Sequence, residues 1–263
     1  MKKSALLVVG IIFLLNSCKH TDFDESKSQD HLIMSTLWYQ TSTEMKALYY
    51  QCFNIAKLRI DMDLKNNPSE TKKAVVVDID ETMLDNSPFE GHCISTGIGY
   101  TKESWKEWTL KIDAKALPGA VEFSEYAKSV GVEVFYISNR SIEEFDQTLK
   151  NLQNENFAFA DSAHLLLKTT TSVKTERRDI VKENYEIILL IGDNMGDFSD
   201  IFEDRSVNFG FDEVEKNKSE FGNKYIVLPN PMYGKWENAV FENKRDLTNK
   251  EKYELRKKNL IGY

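Results

Sequence analysis

The chain has 263 residues, of which 41% are hydrophobic and 11% aromatic, enough for one large domain with a buried core. Its formal net charge is −8 and it has no long basic block, so binding to a nucleic-acid polymer is not expected. An acidic protein that binds small anions needs local lysines, arginines or a metal ion at the binding site.

The N-terminal segment has the features of an export signal. Residues 5–15 form an apolar run that follows two lysines. The run is shorter than the ~20 residues that a helix needs to cross a bilayer, so it predicts a signal peptide over residues 1–17. Residues 15–18 read Leu-Asn-Ser-Cys and resemble a bacterial lipobox, in which Cys18 is lipidated and becomes the mature N-terminus. The alternative is an ordinary signal peptide with an incidental cysteine.

Polar and then helical patterns follow this segment. Residues 18–35 are mostly polar and lack sustained apolar periodicity, which predicts a flexible tether between the lipid and the folded body. From residue 36 to about residue 64, apolar side chains recur every three or four positions and predict one or two amphipathic helices. In an exported protein Cys52 and Cys93 could pair or could remain two buried thiols, and the sequence leaves both open.

Five short apolar runs each have the length of one buried strand. They cover residues 74–77, 132–137, 165–167, 187–191 and 225–228. Stretches compatible with helices separate most of them, which is the pattern of β-α-β crossovers. We therefore predict an α/β domain over residues 36–263, with a doubly wound, mainly parallel, Rossmann-like sheet.

Residues 86–117 do not fit this alternation. The stretch lies between the first and second predicted strands, is too long for a simple crossover, and contains three glycines and two tryptophans. We predict that it forms a small cap together with the N-terminal helical segment. Ligands of parallel sheets bind beyond the carboxyl ends of the strands, so we expect the cap to cover the binding site.

Acidic residues directly follow two of the predicted strands. Asp78 and Asp80 follow the first strand, and Asp193 and Asp197 follow the fourth. Carboxylates held close together in low-dielectric surroundings repel one another, and a bound cation offsets that repulsion. Oxygen ligands without histidine or cysteine suit Mg²⁺, and Mg²⁺ suits a phosphate ester as the substrate.

Hydroxyl, amide and cationic groups follow the other two strands. Ser138, Asn139 and Arg140 follow the second strand, where a hydroxyl can donate to a phosphoryl oxygen and an arginine can bind one. Lys168 and Lys174 follow the third strand, and each offers a positive charge for a transferring phosphoryl group. Each feature alone has an ordinary structural interpretation, but their combination predicts a phosphoryl-transfer site.

Three segments resemble the haloacid dehalogenase superfamily and, more narrowly, its class C (lipoprotein-type) acid phosphatases and 5′-nucleotidases. They are residues 77–89, which begin Val-Asp-Ile-Asp-Glu-Thr, residues 191–198, and residues 228–236. The resemblance extends from about residue 37 to near the C-terminus and agrees with the lipobox. It implies a phosphomonoesterase that acts on small phosphate esters. The protein would be exported and anchored by a lipid to a bacterial membrane, and the outer membrane is the expected one. A dimer is compatible with it.

The resemblance implies roles for the four acids. Asp78 would attack phosphorus, and Asp80 would protonate the leaving alcohol and then activate water. Mg²⁺ would be bound by the Asp78 carboxylate, the Asp80 carbonyl and Asp193, with Asp197 supporting these ligands from behind. Relatives that stop at a stable aspartyl phosphate have threonine at the position of Asp80, so this acid predicts turnover of phosphomonoesters.

The resemblance also implies residues that bind the substrate. Lys174 matches the phosphate-binding lysine better than Lys168 does, because an arginine follows it three residues later. Trp105 and Tyr233 would sandwich a nucleobase, with Asn86 near the same pocket, although Trp105 could simply pack the cap. The other implied phosphate-binding residues are Thr82, Ser138, Asn139 and Arg140.

A non-enzymatic interpretation remains open from the sequence. A surface lipoprotein could serve mainly in adhesion or ligand capture, with weak or no catalysis. A phosphotransferase that passes the phosphoryl group to another alcohol is also chemically possible, and release of inorganic phosphate would distinguish it from a hydrolase.

Overall fold

The computed structural model describes residues 23–263. The predicted signal peptide and the predicted lipidation site, Cys18, lie outside the described residues. Within residues 23–263, no helix is both long enough and apolar enough to cross a membrane.

A parallel sheet of five strands forms the centre of the domain, in the order β5-β4-β1-β6-β7. Two shorter strands, β2 and β3, pair antiparallel outside it. The predicted apolar runs lie in or at the ends of the five central strands, and the predicted α/β fold with a mainly parallel, Rossmann-like sheet is confirmed. The strands are β1 (Lys72–Val77), β2 (Leu84–Asp85), β3 (Lys115–Ala116), β4 (Glu133–Ser141), β5 (Leu165–Lys168), β6 (Tyr185–Gly192) and β7 (Tyr225–Val227).

Helices cover the sheet and connect its strands. The predicted N-terminal helical region is two helices, because Ser42 has an extended backbone and its hydroxyl accepts a hydrogen bond from the Met45 N–H at 3.0 Å, which starts the second helix. The α-helices are α1 (Ile33–Thr41), α2 (Thr43–Asn66), α3 (Ser87–Thr96), α4 (Lys102–Thr109), α5 (Ala120–Ser129), α6 (Phe145–Asn154), α7 (Thr175–Lys182), α8 (Phe211–Lys216), α9 (Lys235–Val240) and α10 (Asn249–Lys258).

The core lies on both faces of the sheet. Successive side chains of β1 point to opposite faces, so Val75 and Val77 pack into one apolar cluster while Ala74 and Val76 pack into another. The first cluster contains the buried side of α2, which includes Phe53. This two-sided burial explains why β1 is continuously apolar in the sequence and does not alternate.

The two cysteines of the described part are free buried thiols. Cys52 lies on α2 with its thiol 3.3 Å from the Val227 carbonyl oxygen, whereas Cys93 lies on α3 in the cap. The unpaired alternative is therefore the one that the structure supports.

Residues 86–117 contain α3 and α4, and the β2–β3 pair closes the base of this insertion. The predicted extent of the tether, residues 18–35, is wrong in its described part. Residues 25–27 and 30–32 form short 3₁₀-helices, and the Ser28 hydroxyl donates to the Gly97 carbonyl at 2.9 Å. Gly97 has a φ of 69°, and a Cβ there would lie 2.6 Å from the carbonyl oxygen of Ser26. The polar composition of this segment therefore reflects contacts with the cap.

Candidate active site

The residues singled out from the sequence meet at the carboxyl end of the central sheet. A cavity of about 880 Å³ opens there, and all four predicted acids line it. The sheet supplies Asp78 and Asp80 from the end of β1, and Asp193 and Asp197 from the end of β6. Neighbouring parallel strands place these acids together because their carboxyl ends share one edge of the sheet.

Lys174 joins two of these acids. Its Nζ contacts Oδ1 of Asp78 and lies 2.7 Å from Oδ1 of Asp197, and its side chain is only 4% exposed. Burial lowers the pKa of Lys174, but the carboxylates of Asp197 and Asp78 outweigh burial and raise it overall, so the ammonium stays charged. Lys168 ends β5 and is not among the residues that line the cavity. Of the two candidate lysines, Lys174 is the one beside Asp78.

Three carboxylates form a compact group of oxygen atoms. One oxygen each from Asp78, Asp193 and Asp197 lies within 4.8 Å of the others. Burial raises the pKa of Asp78 well above its usual range despite the Lys174 charge. Burial and the negative charge of Asp197 raise the pKa of Asp193 to about 7. A bound cation would favour the charged forms of these acids, and their all-oxygen donors fit a hard divalent cation.

Two side chains orient Asp193. The Thr82 hydroxyl donates to Oδ1 of Asp193 at 3.2 Å, and the Asn230 side-chain amide donates to Oδ2 at 2.9 Å. Thr82 is fully buried, so its hydroxyl faces Asp193 and not the open cavity, where the resemblance implied a contact with a phosphoryl oxygen. Sequence reasoning missed the contact made by Asn230, although this residue lies within the conspicuous segment 228–236.

Asp80 is held by three side chains. Oδ1 accepts hydrogen bonds from Arg140, with Nη2 at 2.7 Å and Nε at 2.9 Å, and from the Asn86 amide at 2.9 Å. The Ser138 hydroxyl lies 3.2 Å from Oδ2. Arg140 and Asn86 therefore contact the acid itself. The sequence had suggested that Arg140 would bind a phosphoryl oxygen and that Asn86 would lie near a base.

Hydrogen bonds from Asn86 and Tyr49 hold the turn that carries Asp80. Glu81 has a φ of 56° and is fully buried. Its Oε1 accepts the Asn86 N–H at 2.7 Å, and its carbonyl accepts the Tyr49 hydroxyl at 2.5 Å. Burial raises the pKa of Glu81 well above its usual range. These contacts hold the turn in place and so position Asp80 beside Asp78.

Arg177 and Asn139 brace the loop that leads to Lys174. Arg177 donates from Nη1 to the Ser138 carbonyl at 2.5 Å, and from Nη2 to Oδ1 of Asn139 at 2.7 Å and to the Val173 carbonyl at 3.2 Å. Asn139 also lines the cavity. From the sequence, Arg177 was used only to choose between the two candidate lysines. The structure adds its hydrogen bonds to Ser138 and Asn139 in β4.

Aromatic side chains form the outer wall of the cavity. Trp105 and Tyr233 both line it. Trp105 also packs edge-to-face on Phe89, with ring centroids 5.1 Å apart, and the Arg140 guanidinium lies 5.6 Å from its ring centroid. Trp105 therefore packs within the cap and also lines the cavity.

Comparisons with solved structures give strong matches. The class C acid phosphatase from Bacillus anthracis superposes with a TM-score of 0.86 at 40% sequence identity, over 90% of this chain and 99% of that chain. A structure of class C acid phosphatase from the same organism with tungstate bound gives a TM-score of 0.85 at 39% identity, with the same coverage.

Sequence comparisons agree with this match. The Stem 31 kDa glycoprotein of Glycine max is 28% identical over 165 residues, which are 59% of this chain and 57% of that protein, so this chain spans little more than half of that relative. The Stem 28 kDa glycoprotein of Glycine max is 25% identical over 205 residues, 74% of this chain and 69% of that protein. The family model described as HAD superfamily, subfamily IIIB (Acid phosphatase), matches residues 18–236. The chain therefore belongs to the subfamily IIIB acid phosphatases of the HAD superfamily, a family of phosphomonoesterases.

Proposed function

We propose that this chain hydrolyses 5′-nucleotides and similar small phosphomonoesters with Mg²⁺, through an aspartyl phosphate on Asp78. The observation that carries the proposal is the contact of Asp78 with the buried Lys174 at a cavity that Asp80 also lines. A carboxylate nucleophile needs a cation beside the phosphoryl group and an acid near the leaving oxygen, and these residues supply both.

The reaction has two displacements at phosphorus. In the first, an Asp78 oxygen bonds to phosphorus, the bond from phosphorus to the leaving oxygen breaks, and Asp80 gives that oxygen its proton. In the second, water attacks phosphorus while Asp80 takes a proton from it, and the bond to Asp78 breaks to release inorganic phosphate. Arg140 and Asn86 hold Asp80 in position for both proton transfers.

The acidic group fits Mg²⁺ because its donors are all oxygen and its charge exceeds that of Lys174. Asp78 and Asp193 would bind the ion through carboxylates and Asp80 through its carbonyl, with Asp197 supporting them. When bound, Mg²⁺ would supply positive charge for the phosphoryl oxygens and offset the repulsion among the acids. Lys174 balances part of the negative charge of the same acids.

Nucleotides are the proposed substrates because two aromatic rings line the cavity that holds the acids. A base stacked on Trp105 or Tyr233 would gain about 1–3 kcal/mol. Tungstate, a tetrahedral oxyanion like phosphate, is bound in a structure of the Bacillus anthracis enzyme, and we expect it to inhibit this chain competitively.

Export and lipidation at Cys18 complete the proposal, with a bacterial outer membrane as the expected location and a dimer as a possible assembly. Mass spectrometry of the N-terminal peptide tests the lipid, which Cys18→Ala should abolish. The alternative is a surface lipoprotein with a mainly ligand-binding or adhesive role and weak or no catalysis. It is disfavoured because residues 23–263 contain every residue type that the proposed mechanism requires.

The test measures phosphate release from p-nitrophenyl phosphate and from 5′- and 3′-nucleotides, with Mg²⁺ or with EDTA. We expect Mg²⁺-dependent release that Asp78→Asn abolishes and that Asp179→Asn, a change of an exposed acid on α7, leaves intact. Release that survives Asp78→Asn would refute the aspartyl-phosphate mechanism, and equal rates for all esters would refute the preference for nucleotides.

A further inference from the structure

Glu90 is a buried carboxylate on the wall of the same cavity. It lies on α3 in the cap and is 8% exposed. Within residues 23–263, no ion pair or hydrogen bond reaches its carboxylate, and the charge that acts on it, after the effect of burial, is the like charge of Glu237. A buried carboxylate without a partner is costly, so this position calls for a group that donates to it.

Arg256, which lines the same cavity, pairs with another carboxylate. Arg256 donates to Oε1 of Glu237 from Nη2 at 2.6 Å and from Nε at 3.0 Å. The Arg256 Nη2 also lies 2.9 Å from Nε2 of His31. Burial and Glu237 therefore raise the pKa of Glu90 to about 7. The two carboxylates on this wall differ, since Glu237 is neutralised within the protein and Glu90 is not.

Glu90 is also close to the aromatic wall. Phe89, its neighbour on α3, packs edge-to-face on Trp105 at 5.1 Å, and both Phe89 and Glu90 line the cavity. A flat ring stacked on Trp105 would therefore occupy the same cavity as Glu90. The edge of such a ring carries the amino and carbonyl groups that distinguish one nucleobase from another.

We propose that Glu90 determines specificity by accepting a hydrogen bond from an amino group on the base of the leaving nucleoside. The inference rests on the proposed function and names the subclass of substrate. An amino group gives the buried carboxylate the donor that it lacks, whereas a carbonyl oxygen at the same place repels it and leaves it unpaired. Nucleotides of adenine and cytosine are therefore preferred to those of hypoxanthine and uracil.

The experiment compares kcat/KM for two matched pairs of substrates, using the full-length chain in mild detergent at pH 8. The pairs are adenosine and inosine 5′-monophosphates, and cytidine and uridine 5′-monophosphates. A hydrogen bond to a charged group favours the amino member of each pair about tenfold. Glu90→Gln, whose amide both donates and accepts, brings each ratio close to one, mainly through KM. Hydrolysis of p-nitrophenyl phosphate, which has no such donor, stays unchanged.

Glu103→Gln, a change of an exposed carboxylate on α4, is the matched control and keeps the wild-type ratios. Glu90→Asp keeps the charge but withdraws it by one methylene, and it gives an intermediate ratio. Wild-type ratios near one, or ratios that Glu90→Gln leaves unchanged, overturn the inference while Mg²⁺-dependent hydrolysis of p-nitrophenyl phosphate upholds the proposed function. Equilibrium binding of the two purine nucleotides to Asp78→Asn gives the same comparison without turnover, and tighter binding of the adenine nucleotide is expected.

Discussion

Replacing Glu90 by glutamine should stabilise the folded protein at neutral and alkaline pH. The substitution keeps the shape of the side chain and removes a carboxylate that is buried beside Glu237 without a cation of its own. In the folded protein the pKa of Glu90 is about 7, compared with an ordinary 4.5. The folded state therefore holds this proton more tightly than the unfolded chain does, and wild-type stability falls as the pH rises from 4.5 to 7.

The size of the effect follows from the two pKa values. Each unit of difference is worth about 1.4 kcal/mol, so ionisation of Glu90 removes about 3 kcal/mol of stability above pH 7. The Glu90→Gln variant does not lose this stability, because its side chain does not ionise. The two proteins should be nearly equal in stability at pH 4, and the variant should be more stable by up to about 3 kcal/mol at pH 8. Contributions from the other buried acids are common to both proteins and cancel.

Urea denaturation followed by tryptophan fluorescence measures this difference, with the metal concentration held constant across pH 4 to 8. The midpoints should separate with rising pH while the m-values stay equal, because the surface exposed on unfolding does not change. Glu103→Gln should follow the wild type throughout. A variant that is less stable than the wild type at pH 8, or a difference that does not depend on pH, would refute the description of Glu90 as an unpartnered acid.

Three further substitutions test the site. Asp80→Asn should lower kcat about 10²- to 10⁴-fold for nucleotides, and less for p-nitrophenyl phosphate, because nitrophenolate leaves without a proton; equal losses for both esters would count against a role as general acid. Asn230→Ala removes a hydrogen bond to Asp193 and should raise the Mg²⁺ concentration for half-maximal rate about 10- to 100-fold, as a titration with Mg²⁺ would detect. Trp108→Phe keeps an aromatic side chain but loses the 2.8 Å hydrogen bond to Asn86, so kcat should fall severalfold with KM unchanged, and a change confined to KM would contradict this.

The α/β fold and the proximity of the four acids could both be predicted from the sequence. Strands buried on both faces are continuously apolar, as in residues 74–77, and a parallel sheet brings whatever follows each strand to a common edge. Asp78 and Asp193 could therefore be placed near each other although 115 positions separate them in the chain. These predictions needed only the pattern of apolar residues and the position of the acids relative to it.

The direction in which a side chain points could not be predicted in the same way. Arg140 was expected to follow a strand and bind a phosphoryl oxygen, yet it lies within β4 and bonds to Asp80. The pairing of β4 with β5 shifts register in the same stretch, between Ser138 and Ser141. The contacts of residues 25–32 with the cap were also invisible, since a polar segment with partners far along the chain has the composition of a tether. The raised pKa of Glu90 depends on its burial in the folded protein, which the sequence does not show.

The ordered N-terminal segment affects where the enzyme can work. Ser28 and His31 line the cavity, and residue 25 already contacts α10 through the bond from Asn249 to Glu25. If Cys18 carries the proposed lipid, six residues separate it from Glu25, and the seven extended steps from Cys18 to Glu25 reach only about 25 Å. The mouth of the cavity would then stay within roughly one protein diameter of the bilayer, so an anionic leaflet would repel nucleotides and lower their local concentration at low ionic strength. Removing this segment to obtain a soluble enzyme would also remove part of the substrate cavity, so soluble versions should keep every residue from Phe23 onward.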